Sequence, residues 1–141
     1  MNHVTDHLVV ADIQSVRERP TQQFDRVVTV CQDSVEDNVG CAYDWFNMSD
    51  GHGEYGGDAS FELFAEAVDT VVAALEAGEH VCVHCHAGQS RSVAVATAAL
   101  TVTSDRSTAE AYDAVERVRP TANPNPRLRG HINQYVEAAD G

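Results

Sequence analysis

Cys85 and Arg91 stand six positions apart, and the stretch between them, His86-Ala87-Gly88-Gln89-Ser90, is small or polar and holds a glycine. Val81-Cys82-Val83 before it reads as a buried strand, and Val93 to Leu100 after it as a buried helix. A loop passing from a strand end into a helix start turns several backbone N–H groups toward one point, at the positive end of the helix dipole. Such a cradle binds a dianion such as phosphate, and it stabilises a thiolate at its base. The chemistry expected is phosphoryl transfer through sulfur. Cys85 attacks phosphorus, a cysteinyl phosphate forms, and water then releases inorganic phosphate. Residues 86–90 supply the phosphate-binding loop. Arg91 matches two phosphoryl oxygens with its planar fork. Ser92 is placed to donate to the Cys85 sulfur as it leaves, and His84 to brace the loop backbone rather than touch substrate.

This chemistry needs a scaffold that presents the loop at a strand end. Val27 to Cys31 and Val81 to Cys85 have the pattern of parallel strands buried on both faces; Leu8 to Ala11 and Ala42 to Phe46 are weaker strand candidates. A helix carries Phe61, Phe64, Ala65, Val68, Val72 and Leu75 on one face and stops at Gly78. Another runs from Ser107, with Glu110 three residues on, to Val118 before Pro120. A last one spans about residues 128–138. Strands alternating with helices, then helices alone, give a single α/β domain over residues 1–141. Its mostly parallel sheet is flanked by helices, and the Cys85 loop lies at the carboxyl end of a central strand, where such sheets take ligands.

The charge balance is extreme. The chain has 22 acidic residues against 9 basic ones, a net charge of −13, and every basic residue is arginine. Such a surface repels itself in dilute buffer and stays solvated where salt screens it. It reads as a halophilic, haloarchaeal protein; the plainer alternative is an acidic protein from a GC-rich genome. No basic patch exists for nucleic acid. The longest apolar run, Val93 to Val102, is too short to cross a bilayer, and no leader-like segment is read at the N-terminus, so a cytoplasmic location is expected. Cys31, Cys41 and Cys82 are expected as reduced, buried thiols. His80, His84 and His86 alternate with Cys82, but strand spacing sets them too far apart for one tetrahedral ion. Neither metal nor cofactor is expected.

The segment from His84 to Ser92 resembles the signature of the cysteine-based protein phosphatases, His-Cys-x-x-Gly-x-x-Arg-Ser, and its Ala-Gly-x-Ser-Arg-Ser ending resembles the dual-specificity branch. Arg119-Pro120-Thr121-Ala122-Asn123-Pro124-Asn125 is similar to the family's Arg-Pro-x-x-x-Pro-Asn segment. Beyond it the sequence departs, with Leu128, His131 and Ile132 where the family has an aromatic and then Gln-Leu. The resemblance implies a general acid, an aspartate in a loop about thirty residues before the cysteine. Asp50 fits, opening the glycine-rich run 51–57, which would let the loop close over substrate. Asp58 and Glu54 are the other acids of that loop, His52 a possible assistant, and Asp44 reads as strand.

The expected activity is hydrolysis of phosphotyrosine and, through a shallow pocket, of phosphoserine and phosphothreonine in phosphorylated proteins, by a monomer. The absence of lysine from the loop disfavours polyphosphorylated lipids. Two rivals remain. A phosphate-binding interaction module would need neither thiol nor acid. Another thiol enzyme with a similar cradle, an arsenate reductase or a sulfurtransferase, would need a resolving thiol for which Cys82 is poorly placed, or would leave Asp50 and the 119–125 segment unexplained.

Overall fold

β-Branched runs and the polar turns between them assemble one five-stranded sheet, in the order β1-β2-β5-β3-β4. The strands are β1 (Asn2–His3), β2 (Leu8–Asp12), β3 (Arg26–Thr29), β4 (Ala42–Trp45) and β5 (Val81–Cys85). The computed structural model describes residues 1–50 and 59–140. β2, β5, β3 and β4 run parallel, and only the two-residue β1 is antiparallel, against β2. β5 lies at the centre, and all five of its residues are buried, as a run apolar on both faces requires. Its pairing sets Cys85 opposite Asp12 of β2, and His84 opposite Thr29 of β3.

Among the described residues there are five α-helices, α1 (Ile13–Glu18), α2 (Phe61–Glu76), α3 (Arg91–Thr103), α4 (Thr108–Val118) and α5 (Pro126–Asp140), and a single 3-10 turn at Glu36–Asn38. α3 is the hub, packed on α2, α4 and α5 and lying over β5 and β2. Every residue of it from Arg91 to Leu100 is buried, the state of a helix apolar all round. α2 ends as expected. Gly78, at φ +80°, and Glu79 donate to the carbonyls of Leu75 and Ala74, closing the Schellman turn that a left-handed glycine permits. Its buried stripe is Phe64, Ala67, Val68, Val71 and Ala74, turned from the stripe expected, because Phe61, Ala65, Val72 and Leu75 are only partly covered. α4 has the full capping box between Ser107 and Glu110. β1 and α1 are elements the sequence reading did not anticipate. α1 begins where Asp12 caps it, its carboxylate accepting from the Ser15 N–H at 2.7 Å.

Candidate active site

The loop from Cys85 to Ser90 is shaped from outside, through its carbonyls. The Cys85 carbonyl accepts from His84 Nδ1 at 3.2 Å, His86 from the Ile13 N–H at 3.0 Å, and Ala87 from Arg119 Nη2 at 2.8 Å. Gly88 accepts from Arg119 Nε at 3.0 Å, Gln89 from the Asn123 N–H at 2.7 Å, and Ser90 from Ala94 within α3 at 2.9 Å. In a trans peptide the N–H points opposite to its carbonyl. Holding six successive carbonyls outward therefore turns the N–H groups of residues 86–91 toward the loop's centre. Gly88 makes the turn possible. Its φ is +69°, and a Cβ there would lie 2.5 Å from Arg119 Nη2 and 3.0 Å from the Ala11 carbonyl.

The start of α3 adds to this. Asp12, Ser60 and Ser107 cap α1, α2 and α4 with their side chains, but Ser90 makes no such bond to α3. Its hydroxyl instead donates to Asp50 Oδ1 at 2.6 Å and accepts from the Asn125 N–H at 3.0 Å. The first-turn N–H groups of α3 are thus left for an anion.

Cys85 lies at the base, 2% exposed, with its sulfur 3.2 Å from Ser92 Oγ. Arg91 is buried, and its Nη1 donates to Gln32 Oε1 at 2.6 Å and to the Met48 carbonyl at 3.0 Å. Its Nε is buried without a protein partner among the described residues, an arrangement that suits a ligand oxygen. His84, fully buried, does not face the centre of the loop. Burial pulls its imidazole down to about 4, so it is neutral. Because Nδ1 donates to the Cys85 carbonyl, Nε2 must accept, and it does so from Thr29 Oγ1 at 2.6 Å, which in turn accepts from the Tyr43 hydroxyl at 2.7 Å. A hydrogen-bond chain across β4, β3 and β5 thus fixes the tautomer. His86 is at the mouth, its Nε2 2.8 Å from Asp33 Oδ2.

The sequence-predicted residues Cys85, Arg91, Ser92, His84, the 86–90 loop and Asp50 therefore come together. Asp50 is tied to the loop through Ser90, and its carbonyl accepts from the side-chain amide of Asn125 in the segment before α5. Asp58, Glu54 and His52 lie outside the described residues. Asp44 faces away from this chemistry, in an ion pair of 2.7 Å with Arg26. Among the described residues no cluster of histidine, cysteine and carboxylates suits a metal ion, and no helix is long and apolar enough to cross a membrane. Cys82 is wholly buried, and burial pushes its thiol up, a poor setting for a resolving thiolate. Cys31 is likewise buried and pushed up to about 11, whereas Cys41 is only partly covered; all four thiols are free. The sequence reading did not anticipate Gln32, Asp33, Thr29, Tyr43 or the bracing role of Arg119. Gln32 and Asp33 had one signal, their place just past the carboxyl end of the strand beside β5.

Comparison with known proteins places this site in a family. The chain is 42% identical over 84 residues to human dual specificity phosphatase 28, covering 57% of this chain and 48% of that one. It is 36% identical over 93 residues to human dual specificity protein phosphatase 5, covering 66% of this chain and 23% of that one. The matches thus span about half of one relative's length and about a quarter of the other's. The crystal structure of human DUSP28 superposes with a TM-score of 0.83 at 25% identity, covering 99% of this chain and 98% of that one. The family model described as the dual specificity phosphatase catalytic domain matches residues 21–138, from the approach to β3 to near the end of α5, and by that match the chain belongs to the dual specificity phosphatase family.

Proposed function

We propose that this chain is a protein phosphatase that hydrolyses phosphotyrosine, and phosphoserine and phosphothreonine as well, through a cysteinyl-phosphate intermediate. The observation that carries the reading is the Cys85 sulfur at the floor of a loop whose carbonyls are all held outward, with the buried Arg91 Nε left without a partner among the described residues. In the first step Cys85 Sγ bonds phosphorus while the ester oxygen leaves, and Asp50 gives that oxygen its proton. The N–H groups of residues 86–91 and the Arg91 fork carry the charge of the three equatorial oxygens. In the second step water attacks phosphorus, Asp50 takes its proton, and the Cys85 sulfur departs, accepting a hydrogen bond from Ser92. No step calls for a metal or cofactor. The Ser90 hydroxyl, bonded to Asp50, keeps the acid at the edge of the loop. The substrates would be phosphorylated proteins met by a cytoplasmic monomer, with activity best in high salt, since the charge of −13 is then screened.

The test is phosphate release from an aryl phosphate and from phosphotyrosine and phosphothreonine peptides, in molar KCl with EDTA. Wild-type turnover that survives EDTA, vanishes in Cys85→Ser and falls about tenfold or more in Asp50→Ala is expected from loss of nucleophile and acid. Phosphopeptide binding with no release at any salt would overturn the reading in favour of a binding module.

A further inference from the structure

Among the described residues two carboxylates meet side chains of the phosphate loop, one at each end. Asp50 accepts from Ser90 and has its place in the reaction as the acid. Asp33 has none. Its Oδ2 lies 2.8 Å from Nε2 of His86, the residue after Cys85. The two side chains are 54% and 42% exposed, so the pair faces solvent at the mouth and is not a buried brace.

The segment that carries Asp33 is held in place. The Cys31 carbonyl accepts from Trp45 Nε1 at 2.9 Å, Gln32 Oε1 accepts from Arg91 Nη1 at 2.6 Å, and the Val35 N–H donates to the Tyr43 hydroxyl at 2.9 Å. Asp33 thus stands one residue from the side chain that touches the phosphate-binding arginine. A carboxylate there repels any dianion that enters the loop. The repulsion is offset only for a substrate that brings its own cation to the same place, which makes the carboxylate a device for preference. A guanidinium forks onto both carboxylate oxygens, which one imidazole nitrogen does not. Trp45, bonded to the same segment, is 47% exposed, and an indole face suits a guanidinium.

We infer that Asp33 sets substrate preference by receiving an arginine close in sequence to the phosphorylated residue of a protein substrate, an inference that rests on the protein-phosphatase reading of this site. Phosphate in the loop and guanidinium on Asp33 are then bound together, and phosphorylated segments without a neighbouring cation are disfavoured.

The test uses two phosphotyrosine peptides that differ only in arginine or citrulline, placed two residues before and two after the phosphotyrosine. Citrulline keeps the shape and removes the charge. Binding to the full chain carrying Cys85→Ser is measured by calorimetry in molar KCl, and phosphate release is measured with Cys85 in place. The arginine peptide should bind about three- to fivefold more tightly, the range of an exposed ion pair, and kcat/KM should show the same ratio. Adding Asp33→Asn should bring both ratios to about one, while Asp33→Glu, which keeps the charge, should retain part of the preference. Asp37→Asn, an exposed acid on the Glu36–Asn38 turn, should leave the ratios unchanged, which separates Asp33 from the net charge of −13. Equal affinity for the two peptides, or a preference that survives Asp33→Asn, overturns the inference. Absence of phosphate release from both peptides would instead count against the phosphatase reading, with the binding ratio still deciding the role of Asp33.

Discussion

Arg119 lies 34 positions beyond Cys85 and does not face the centre of the loop, yet its removal should disable the loop. Its guanidinium donates to the carbonyls of Ala87 and Gly88 and to Asn2 Oδ1, at 2.8, 3.0 and 2.8 Å, with its side chain only 11% exposed. A hydrogen bond to a charged group is worth about 1.5–3 kcal/mol, so two loop bonds bound the effect at roughly 3–6 kcal/mol. Water admitted by the truncation would solvate the freed carbonyls and reduce this to about 2–3 kcal/mol for Arg119→Ala. If that energy holds the loop in its anion-binding form, kcat/KM should fall on the order of 30- to 150-fold. Arg119→Lys reaches one carbonyl and lacks the fork, so it should recover about half of the lost free energy. The assay is steady-state turnover of an aryl phosphate, together with affinity for vanadate and urea unfolding of each variant. Vanadate affinity and kcat/KM should fall in parallel. A folded Arg119→Ala protein within about threefold of wild type in kcat/KM would refute the idea that the carbonyl side sets the loop, since that is under 1 kcal/mol.

Gly88→Ala should cost about 1–2 kcal/mol for a left-handed residue and push the Arg119 fork away, so both thermal stability and phosphate release should drop. Wild-type release by a folded variant would count against the brace. Ser90→Ala frees Asp50 from its 2.6 Å bond; turnover of phosphoserine peptides, whose leaving oxygen needs the proton, should suffer more than that of a nitrophenyl phosphate. Equal losses would argue that Asp50 is not the acid. His84, at about 4 when folded and about 6.5 when unfolded, takes up its proton first in the unfolded chain. Its contribution is therefore full above pH ~6.5 and declines as pH falls toward 4, by on the order of 3 kcal/mol. Urea unfolding between about pH 7.5 and 5 should show this slope in wild type and lack it in His84→Asn, and an unchanged slope in the variant would be contrary. Thr97→Val removes a buried hydroxyl with no partner among the described residues and should raise stability by ~1 kcal/mol, read as a few degrees in thermal unfolding; a lowered midpoint would mean the hydroxyl is satisfied.

What could be read from the sequence was what is local. β5 ends at Cys85, as the strand expected over Val81 to Cys85 does, and α3 begins at Arg91, two residues before the helix expected from Val93. Those boundaries follow from runs of Val and Ala meeting a Gly-containing polar stretch, and they place the nucleophile and the arginine without tertiary information. The elements missed are short. Asn2–His3 owes its strand to pairing with Val9 and Val10, and α1, six residues long, is signalled mainly by the Asp12 cap. The stripe of α2 was misassigned because the helix packs on α3 and on the sheet, and pattern alone does not say which neighbour covers a given turn.

The residues that shape the site were the least legible, and the reason is physical. A side chain that donates to a distant carbonyl needs only reach and direction, so Gln32 is 59 positions from Arg91, and Asp50 is 40 from Ser90. Neither leaves a local pattern. Yet these bonds decide whether the legible residues work. The carbonyls of residues 86–89 are taken by α1, by Arg119 and by the Asn123 segment, all remote in sequence, and an N–H can face a phosphate only while its peptide's oxygen is held elsewhere. A cysteine and an arginine at this spacing thus name a reaction, while the donors behind the loop set its geometry. Substitutions behind the loop should therefore lower anion affinity and turnover together, whereas Asp50→Ala should lower turnover and leave vanadate affinity within about twofold, because the acid acts on the leaving oxygen and not on the bound anion.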